Sequence, residues 1–209
     1  EAERLLAARI QAAGNVMFIG GHMGPAMGRL VDGFLDGVGG TRVHYDAVSD
    51  APLREATRIA YGVDELPSYD IASAEMLLSF GNDFIDAGPS PVAHNRGLAS
   101  MSGVDAEGHD KGTFVYLGAR LSTTGLNADE WLPIRAGSEA AVALGMASHI
   151  AGSNVAGPYA NLLASYDIAT AAEASGISED AIRDLADRFA AGNSVAMGPG
   201  VGAHHRNAT

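Results

Sequence analysis

Two clusters of small, hydroxyl-bearing and charged residues lie within twenty positions of each other, and both are suited to hold a large polar ligand. The first cluster follows the apolar run 113–117 and consists of Arg120, Ser122 and Thr124. The second follows the apolar piece 131–134 and consists of Gly137, Ser138 and Glu139. In open α/β sheets, ligands bind outside the carboxyl ends of the strands. We therefore expect these turns to form one binding edge.

The turn Gly137-Ser138-Glu139 has two readings. Ser138 is a suitable N-cap, and an acidic residue in a first helical turn is favoured by the helix dipole, which is a purely structural explanation. The functional reading is that the Glu139 carboxylate accepts hydrogen bonds from two adjacent donors of a guanine, its N1–H and its amino group. The residues alone leave both readings open.

Other motifs for nucleotide or metal binding are weaker. The loop 20–25 (GGHMGP) precedes a helix and is either a phosphate cradle or a plain strand-to-helix turn. It matches neither GxGxxG nor a Walker A loop, and Lys111 is the only lysine. The seven histidines lack metal-ligand spacing. No GxSxG motif is present, and we expect the adjacent Asp129 and Glu130 to be solvated rather than catalytic.

The elements that must position these residues alternate between strand and helix. Apolar runs predict strands at 16–19, 42–45, 75–80, 113–117, 132–134 and 195–197. Helical periodicity and end signals predict helices at 3–13, 25–38, 51–61, 92–101, 138–150 and 179–191. This alternation predicts an α/β fold, doubly wound, with a mostly parallel sheet and helices on both faces.

Composition excludes some classes of function, and we expect the chain to be part of a larger protein. The 209 residues carry a formal charge of −12, which argues against nucleic-acid binding. The chain has no cysteine, so it supplies no thiolate for an iron–sulfur cluster. No apolar run approaches the ~20 residues of a membrane span, and no signal peptide is visible. We expect 1–209 to be one dinucleotide-binding-like region of a longer chain, with a possible sub-boundary near 152–168.

The order of these motifs resembles the molybdopterin oxidoreductase family related to dimethyl sulfoxide reductase. That family has a glycine turn after one strand, then Pro-Arg-x-Ser/Thr-x-Thr-Ala, then Arg-Pro-Gly-Thr-Asp/Glu before an alanine- and leucine-rich helix. The corresponding segments here are 81–83 (GND), 119–125 (ARLSTTG) and 135–139 (RAGSE). Ala119 and Ala136 replace the two prolines, which loosens both turns because proline fixes φ.

The resemblance implies a Rossmann-like layer that grips one arm of a bis-pterin molybdenum or tungsten cofactor, molybdopterin guanine dinucleotide. Asn82 and its turn would touch the nucleotide, Arg120 and Ser122 would contact its ribose or phosphates, and Glu139 would read guanine. The implied cofactor-binding set is Gly81, Asn82, Asp83, Arg120, Ser122, Thr124, Gly137, Ser138 and Glu139.

The resemblance also implies a place for the metal ligand, within the segment 45–52 (YDAVSDAP). Ser49 is the first candidate and Asp50 the second. The alternative is that Ser49 is an N-cap of the following helix. The iron–sulfur cysteines of many family members have no counterpart here, so we expect no iron–sulfur cluster bound by this chain.

A narrower resemblance leads to a different function. The segments 44–62, 66–70 and 77–101 are similar to the molybdoenzyme-like subunit of membrane quinol-oxidising complexes of the alternative complex III type. That reading implies a cofactor-free structural and electron-transfer subunit on the periplasmic or outer face of the membrane, with a cytoplasmic location left open. Under either reading we expect the rest of a larger protein, an iron–sulfur subunit and a membrane-anchor subunit as partners, and no direct membrane span.

Overall fold

The computed structural model describes residues 1–21, 23–45, 50–88, 90–103, 111–152 and 159–198. The chain divides into two compact units, 1–50 and 51–209. The sub-boundary expected near 152–168 stays a prediction, and residues 153–158 lie outside the described part. Ser49 lies outside it as well.

The first unit is a strand–helix–strand motif preceded by a helix. Its elements are α1 (Ala2–Ala12), β1 (Met17–Gly20), α2 (Pro25–Val38) and β2 (Thr41–His44). β1 and β2 pair in parallel, with Met17 opposite Thr41. Pro25 is the first residue of α2, and Gly39 ends the helix with a left-handed φ of 63°. Both local signals agree with the helix predicted from the sequence.

The second unit is a four-stranded parallel sheet flanked by helices. Its strands are β3 (Met76–Phe80), β4 (Thr113–Gly118), β5 (Glu130–Pro133) and β6 (Ser194–Met197). Its helices are α3 (Ala51–Tyr61), α4 (Pro91–Met101), α5 (Thr123–Leu126), α6 (Glu139–Ala151), α7 (Ala160–Ala164), α8 (Ile168–Ser175) and α9 (Glu179–Ala191). The strand order is β5-β4-β3-β6. The chain thus proceeds from β3 to β5 in one direction and returns to the other side of β3, so the winding reverses at β3.

Both faces of this sheet are covered. On one face, Leu78, Val115 and Leu117 pack with Val142 of α6 and Leu185 of α9. On the other face the buried cluster comprises Ile71, Ala74, Leu77, Phe84, Met101, Phe114, Tyr116 and Met197. Alternate residues of β3 and β4 enter the two clusters, as the period of two in a strand requires. The predicted α/β architecture with parallel sheets and flanking helices is confirmed.

The helices that the sequence did not predict are α5, α7 and α8. In α8 the sequence IATAAEAS is mostly alanine and small polar residues, so it lacks a strong apolar stripe. Its start is nevertheless marked by Asp167, whose side chain accepts a hydrogen bond from the Thr170 amide at 2.7 Å. Packing of Ala171 against α6 then fixes it in place.

Within the described ranges, no helix combines the length and the apolar character needed to cross a bilayer.

Candidate functional site

Three turns follow the carboxyl ends of β3, β4 and β5, and they contain all nine predicted cofactor-binding residues. They are the segments 81–83, 118–124 and 137–139. Gly81 and Gly137 have φ values of 67° and 83°, which residues with a Cβ rarely adopt. The first and last of these turns therefore depend on glycine.

Asp83 joins the turn after β3 to the turn after β4. Its Oδ1 accepts hydrogen bonds from the Tyr116 hydroxyl at 2.9 Å and from the Ser122 hydroxyl. Its Oδ2 accepts from Arg120 Nη2 at 2.8 Å. The Asp83 side chain is 13% exposed and the Arg120 side chain 71% exposed, so the carboxylate anchors one end of a guanidinium that otherwise faces solvent. The structure thus brings three of the predicted residues together.

Tyr116 belongs to this cluster and was not predicted from the sequence. It is fully buried in β4, and burial raises the pKa of its phenol to about 12. The available signal was a tyrosine inside the buried run TFVYL, because a buried phenol normally finds a hydrogen-bond partner. That signal identifies a polar contact but not the residue that provides it.

Ser122 and Thr124 use their hydroxyl groups to hold the turns. Ser122 Oγ also accepts a hydrogen bond from the Gly125 amide at 3.2 Å and so caps α5. Thr124 Oγ1 accepts from the Ile85 amide at 3.3 Å, a second link between the turns after β3 and β4. Both side chains are buried.

The backbone of Asn82 is fixed by a residue of the preceding strand, β3. The Ser79 hydroxyl donates to the Asn82 carbonyl at 2.8 Å and accepts from the Asn82 amide at 3.1 Å. The side-chain amide of Asn82 makes no hydrogen bond to any residue in the described ranges. Ser79 was not predicted from the sequence, although a serine within the apolar run MLLSF was its visible signal.

Glu139, in the turn after β5, lies next to Gly81 in the turn after β3. It lies in the first turn of α6 and is 8% exposed. Its Cγ and Oε1 lie 3.7 Å from the position that a Cβ atom on Gly81 would occupy. Its Oε2 is buried and has no hydrogen-bond partner among the described residues. A buried carboxylate oxygen without a donor is costly, and this cost is relieved by any ligand that supplies an N–H group.

The prediction that Ser138 is the N-cap of α6 is confirmed for its position, but its side chain makes no capping hydrogen bond. Ser138 occupies the N-cap position, but with φ −95° and ψ 1° its hydroxyl points back and donates to the Arg135 carbonyl at 2.6 Å. The extended backbone that N-cap residues normally adopt is missing here. Arg135 itself donates to the carbonyls of Glu173 and Ala174 at the end of α8.

Asp129 and Glu130, which we expected to be solvated rather than catalytic, are partly exposed and also have partners within the protein. Asp129 accepts hydrogen bonds from the Phe114 amide at 2.9 Å and from Lys111. Burial alone would raise the pKa of Asp129, but these two donors outweigh it and lower the pKa. Glu130 forms a two-pronged ion pair with Arg188, at 2.6 and 3.1 Å. Both carboxylates therefore tie β5 to neighbouring elements.

The metal-ligand candidates expected from the sequence are Ser49 and Asp50. Ser49 lies outside the described residues, and Asp50 is an exposed residue immediately before α3. In the described ranges, no group of three or more His, Asp or Glu residues is arranged to hold a metal ion. His94 is buried edge-on to Tyr69 and Phe84, which lowers its pKa through loss of solvent. The loop at 20–25, described except for His22, leads directly into α2.

Comparison with known proteins gives several relatives, and the names of two of them refer to molybdopterin. No family model matches the chain. It is 28% identical over 199 residues to "Menaquinone reductase, molybdopterin-binding-like subunit" of Nitratidesulfovibrio vulgaris, covering 91% of this chain and 28% of that protein. It is 34% identical over 83 residues to "Arsenate respiratory reductase molybdopterin-containing subunit ArrA" of Shewanella sp., covering 40% of this chain and 9% of that protein.

A third relative is a reductase, and a solved structure has the same fold as this chain. The chain is 28% identical over 126 residues to "Dimethyl sulfoxide reductase DmsA" of Escherichia coli, covering 59% of this chain and 15% of that protein. Acetylene hydratase from Pelobacter acetylenicus has the same fold, with a TM-score of 0.60 at 18% identity, over 96% of this chain and 28% of that one. The chain thus spans less than a third of the length of each relative. The resemblance predicted from the sequence is confirmed: the chain is similar to a molybdopterin-binding-like subunit, to a molybdopterin-containing subunit and to a dimethyl sulfoxide reductase.

Proposed function

We propose that this chain is the part of a molybdopterin-dependent oxidoreductase that holds a guanine dinucleotide arm of a bis-pterin molybdenum or tungsten cofactor. The binding edge is formed by the turns 81–83, 118–124 and 137–139. The observation that carries the proposal is the buried carboxylate of Glu139, whose Oε2 has no donor among the described residues.

Guanine fits this carboxylate by its chemistry. Its N1–H and exocyclic amino group are two adjacent donors, and an ionised carboxylate has two oxygens and only accepts. Such a charge-assisted pair is stronger than a neutral hydrogen bond, especially where water is excluded. Adenine presents an acceptor at N1, which would face the carboxylate unfavourably. Glu139 is therefore proposed to select the base.

Arg120 is proposed to contact the phosphates. Asp83 engages one nitrogen of its guanidinium, and the side chain is otherwise largely exposed, so the remaining N–H groups are available to an anion. Ser122 and Thr124 support this arrangement through the turn contacts of their hydroxyls. The side-chain amide of Asn82 is free to hydrogen-bond the nucleotide, and Gly81 and Gly137 allow close approach of a ligand to the backbone.

When bound, the cofactor supplies oxygen-atom or electron transfer at its metal. The residues of this chain bind and orient the nucleotide arm and exclude water from the base. The remaining partners are proposed from the relatives, two of which are named as subunits. They are the rest of a larger protein, an iron–sulfur subunit and a membrane-anchor subunit, at the periplasmic or outer face of the membrane.

A second function is favoured by one specific comparison. The relative that matches over 91% of this chain is named a "molybdopterin-binding-like" subunit of a menaquinone reductase. Alanine also stands at positions 119 and 136, where the family has turn-stiffening prolines. The alternative proposal is therefore a structural and electron-transfer subunit of a membrane quinone- or quinol-reacting complex, without the pterin cofactor.

The guanine role is tested by Glu139→Gln and Glu139→Ala in the full-length protein. Glutamine keeps the shape but turns one acceptor into a donor, so we expect guanine nucleotide released by acid from the purified protein to fall at least tenfold in both variants. Glu173→Gln changes an exposed glutamate on α8 and serves as the control. Unchanged guanine content in folded Glu139 variants would refute the proposed role.

Metal and pterin analysis of the intact wild-type protein separates the two functions. Molybdenum or tungsten near one per chain, together with pterin, supports the enzyme. A folded protein lacking both supports the structural subunit.

A further inference from the structure

A cavity of about 210 Å³ opens at the amino edge of the four-stranded sheet, the edge opposite to the turns described above. Met76, Thr113 and Ser194, the first residues of β3, β4 and β6, line it together with Glu75 and the end of α9. This volume is well above the ~10–15 Å³ that is needed to hold a single water molecule. The cavity is therefore large enough for a small organic group.

Glu75 is an exposed residue that brings a negative charge to the mouth of this cavity. Its side chain makes no hydrogen bond or ion pair with any residue that the structure describes. Its Oε2 lies 2.1 Å from the position that a Cβ atom on Gly192 would occupy, so the carboxylate fills the space left by that glycine. The absence of a side chain at position 192 is what lets the carboxylate lie there.

Arg188, the guanidinium in the cavity wall, is already engaged elsewhere. Its two Nη atoms donate to Glu130 at 2.6 and 3.1 Å, and its Nε lies 3.1 Å from Asp184 Oδ2. Two carboxylates therefore already balance this one positive charge. The Nε atom of Arg188 is buried and makes no hydrogen bond within the described ranges, so Asp184 is an ion-pair partner only. Neither ion pair of Arg188 involves Glu75.

Two further features favour a cation that can donate hydrogen bonds. Ser194 Oγ is buried and has no hydrogen-bond partner within the described ranges. The helix α9 ends at Ala191, which also lines the cavity, and the last carbonyls of a helix carry partial negative charge. The cavity thus presents a carboxylate, a hydroxyl and a helix carboxyl end.

We propose that this cavity binds a primary ammonium group. An ammonium has three donors and a single positive charge, which matches the acceptors around Glu75 and Ser194. A divalent metal is not favoured, because the described residues offer no group of three ligating side chains. The site is separate from the nucleotide edge, so it does not depend on the proposed cofactor role. The ammonium comes either from a small free amine or from a lysine side chain of the surrounding protein.

The first experiment is calorimetric titration of the full-length protein with n-butylammonium chloride, a mimic of a lysine side chain. We expect binding that weakens at least tenfold in Glu75→Gln, which removes the charge, and in Gly192→Ala, whose methyl group displaces the carboxylate. Glu65→Gln, an exposed glutamate in the loop after α3, is the matched control and should bind within twofold of wild type. Circular dichroism verifies that each variant is folded.

The second experiment identifies the source of the ammonium by crystallography of the full-length protein with and without n-butylammonium. The amine nitrogen beside Glu75 only in the soaked crystals indicates a free amine. A lysine Nζ already at Glu75 in the unsoaked crystals indicates a protein side chain, and it explains a wild type that does not bind the added amine. Butylammonium binding that is unchanged in Glu75→Gln would overturn the proposal. So would no binding together with no lysine nitrogen at Glu75.

Discussion

The Tyr116 hydroxyl donates a 2.9 Å hydrogen bond to Asp83 Oδ1, although the two residues are 33 positions apart. The bond links the inside of β4 to the turn after β3. It fixes the same carboxylate that holds Arg120, so a fully buried phenol determines where an exposed guanidinium is presented. The position of Arg120, and with it the proposed phosphate contact, is therefore fixed by a residue of β4.

Replacing Tyr116 with phenylalanine should destabilise the protein by about 1.5–3 kcal/mol, the usual value for a hydrogen bond to a charged group. The ring keeps its packing, so the change in the free energy of unfolding reports the loss of the hydroxyl alone. The measurement is the free energy of unfolding of the full-length protein in urea. Tyr61→Phe, at a 79% exposed position, is the control and should change it by less than about 0.5 kcal/mol. Equal effects of the two substitutions would show that the Asp83 contact contributes nothing.

Replacing Asp129 with asparagine should make the free energy of unfolding depend less on pH in the acid range. The pKa of Asp129 is lowered in the folded state, so the unfolded state binds more protons at acid pH. The stabilisation is present above its ordinary pKa of 3.8 and is lost as pH falls through the lower folded value. Unfolding free energies at pH 6 and pH 3 provide the measurement.

The wild type should lose more stability between these two pH values than Asp129→Asn. Asp36→Asn, an exposed carboxylate on α2, is the control and should behave like wild type. An Asp129→Asn curve parallel to that of wild type would contradict the assignment.

Two helical glycines should respond to alanine in opposite directions. A Cβ on Gly145 of α6 would lie 2.6 Å from the Cβ of Ala171 in α8, whereas a Cβ on Gly33 of α2 meets nothing within 4 Å. Gly145→Ala should cost about 1–3 kcal/mol through overpacking. Gly33→Ala should gain about 0.5–1 kcal/mol through helix propensity. Unfolding in urea measures both, and a stabilising Gly145→Ala would show that α6 and α8 are packed less closely.

Gly81→Ala should lower the guanine nucleotide content of the purified full-length protein, if the proposed function is right. The new methyl group would lie 3.7 Å from Glu139 Cγ and Oε1, and φ of 67° strains any residue with a Cβ. Gly88→Ala is a matched control, because its φ is 101° but its Cβ would meet nothing within 4 Å. Both variants carry backbone strain, so only an effect specific to position 81 supports contact with the nucleotide. An equal loss in both would reduce the result to general destabilisation.

Much of the fold could be predicted from the sequence because its signals are local. Pro25 and Gly39 delimit α2, and the apolar runs of β3 and β4 are bounded by turns, as predicted. The helix α8 was missed because alanine-rich segments carry little periodicity. Ser138 was placed correctly at the start of α6, but the direction of its hydroxyl depends on ψ and on the Arg135 carbonyl. A residue type cannot report that direction.

The sequence by itself determined the order of the strands and of the longer helices, the three polar turns and the chemical types within them. It did so because periodicity and turn residues act over a few neighbouring positions. Only the tertiary structure decided that β6 pairs with β3, that Tyr116 and Ser122 share Asp83, and that Glu139 is buried beside Gly81. These contacts join residues that are tens of positions apart. They depend on which strands lie side by side and in what register, and no local pattern in the chain encodes that choice.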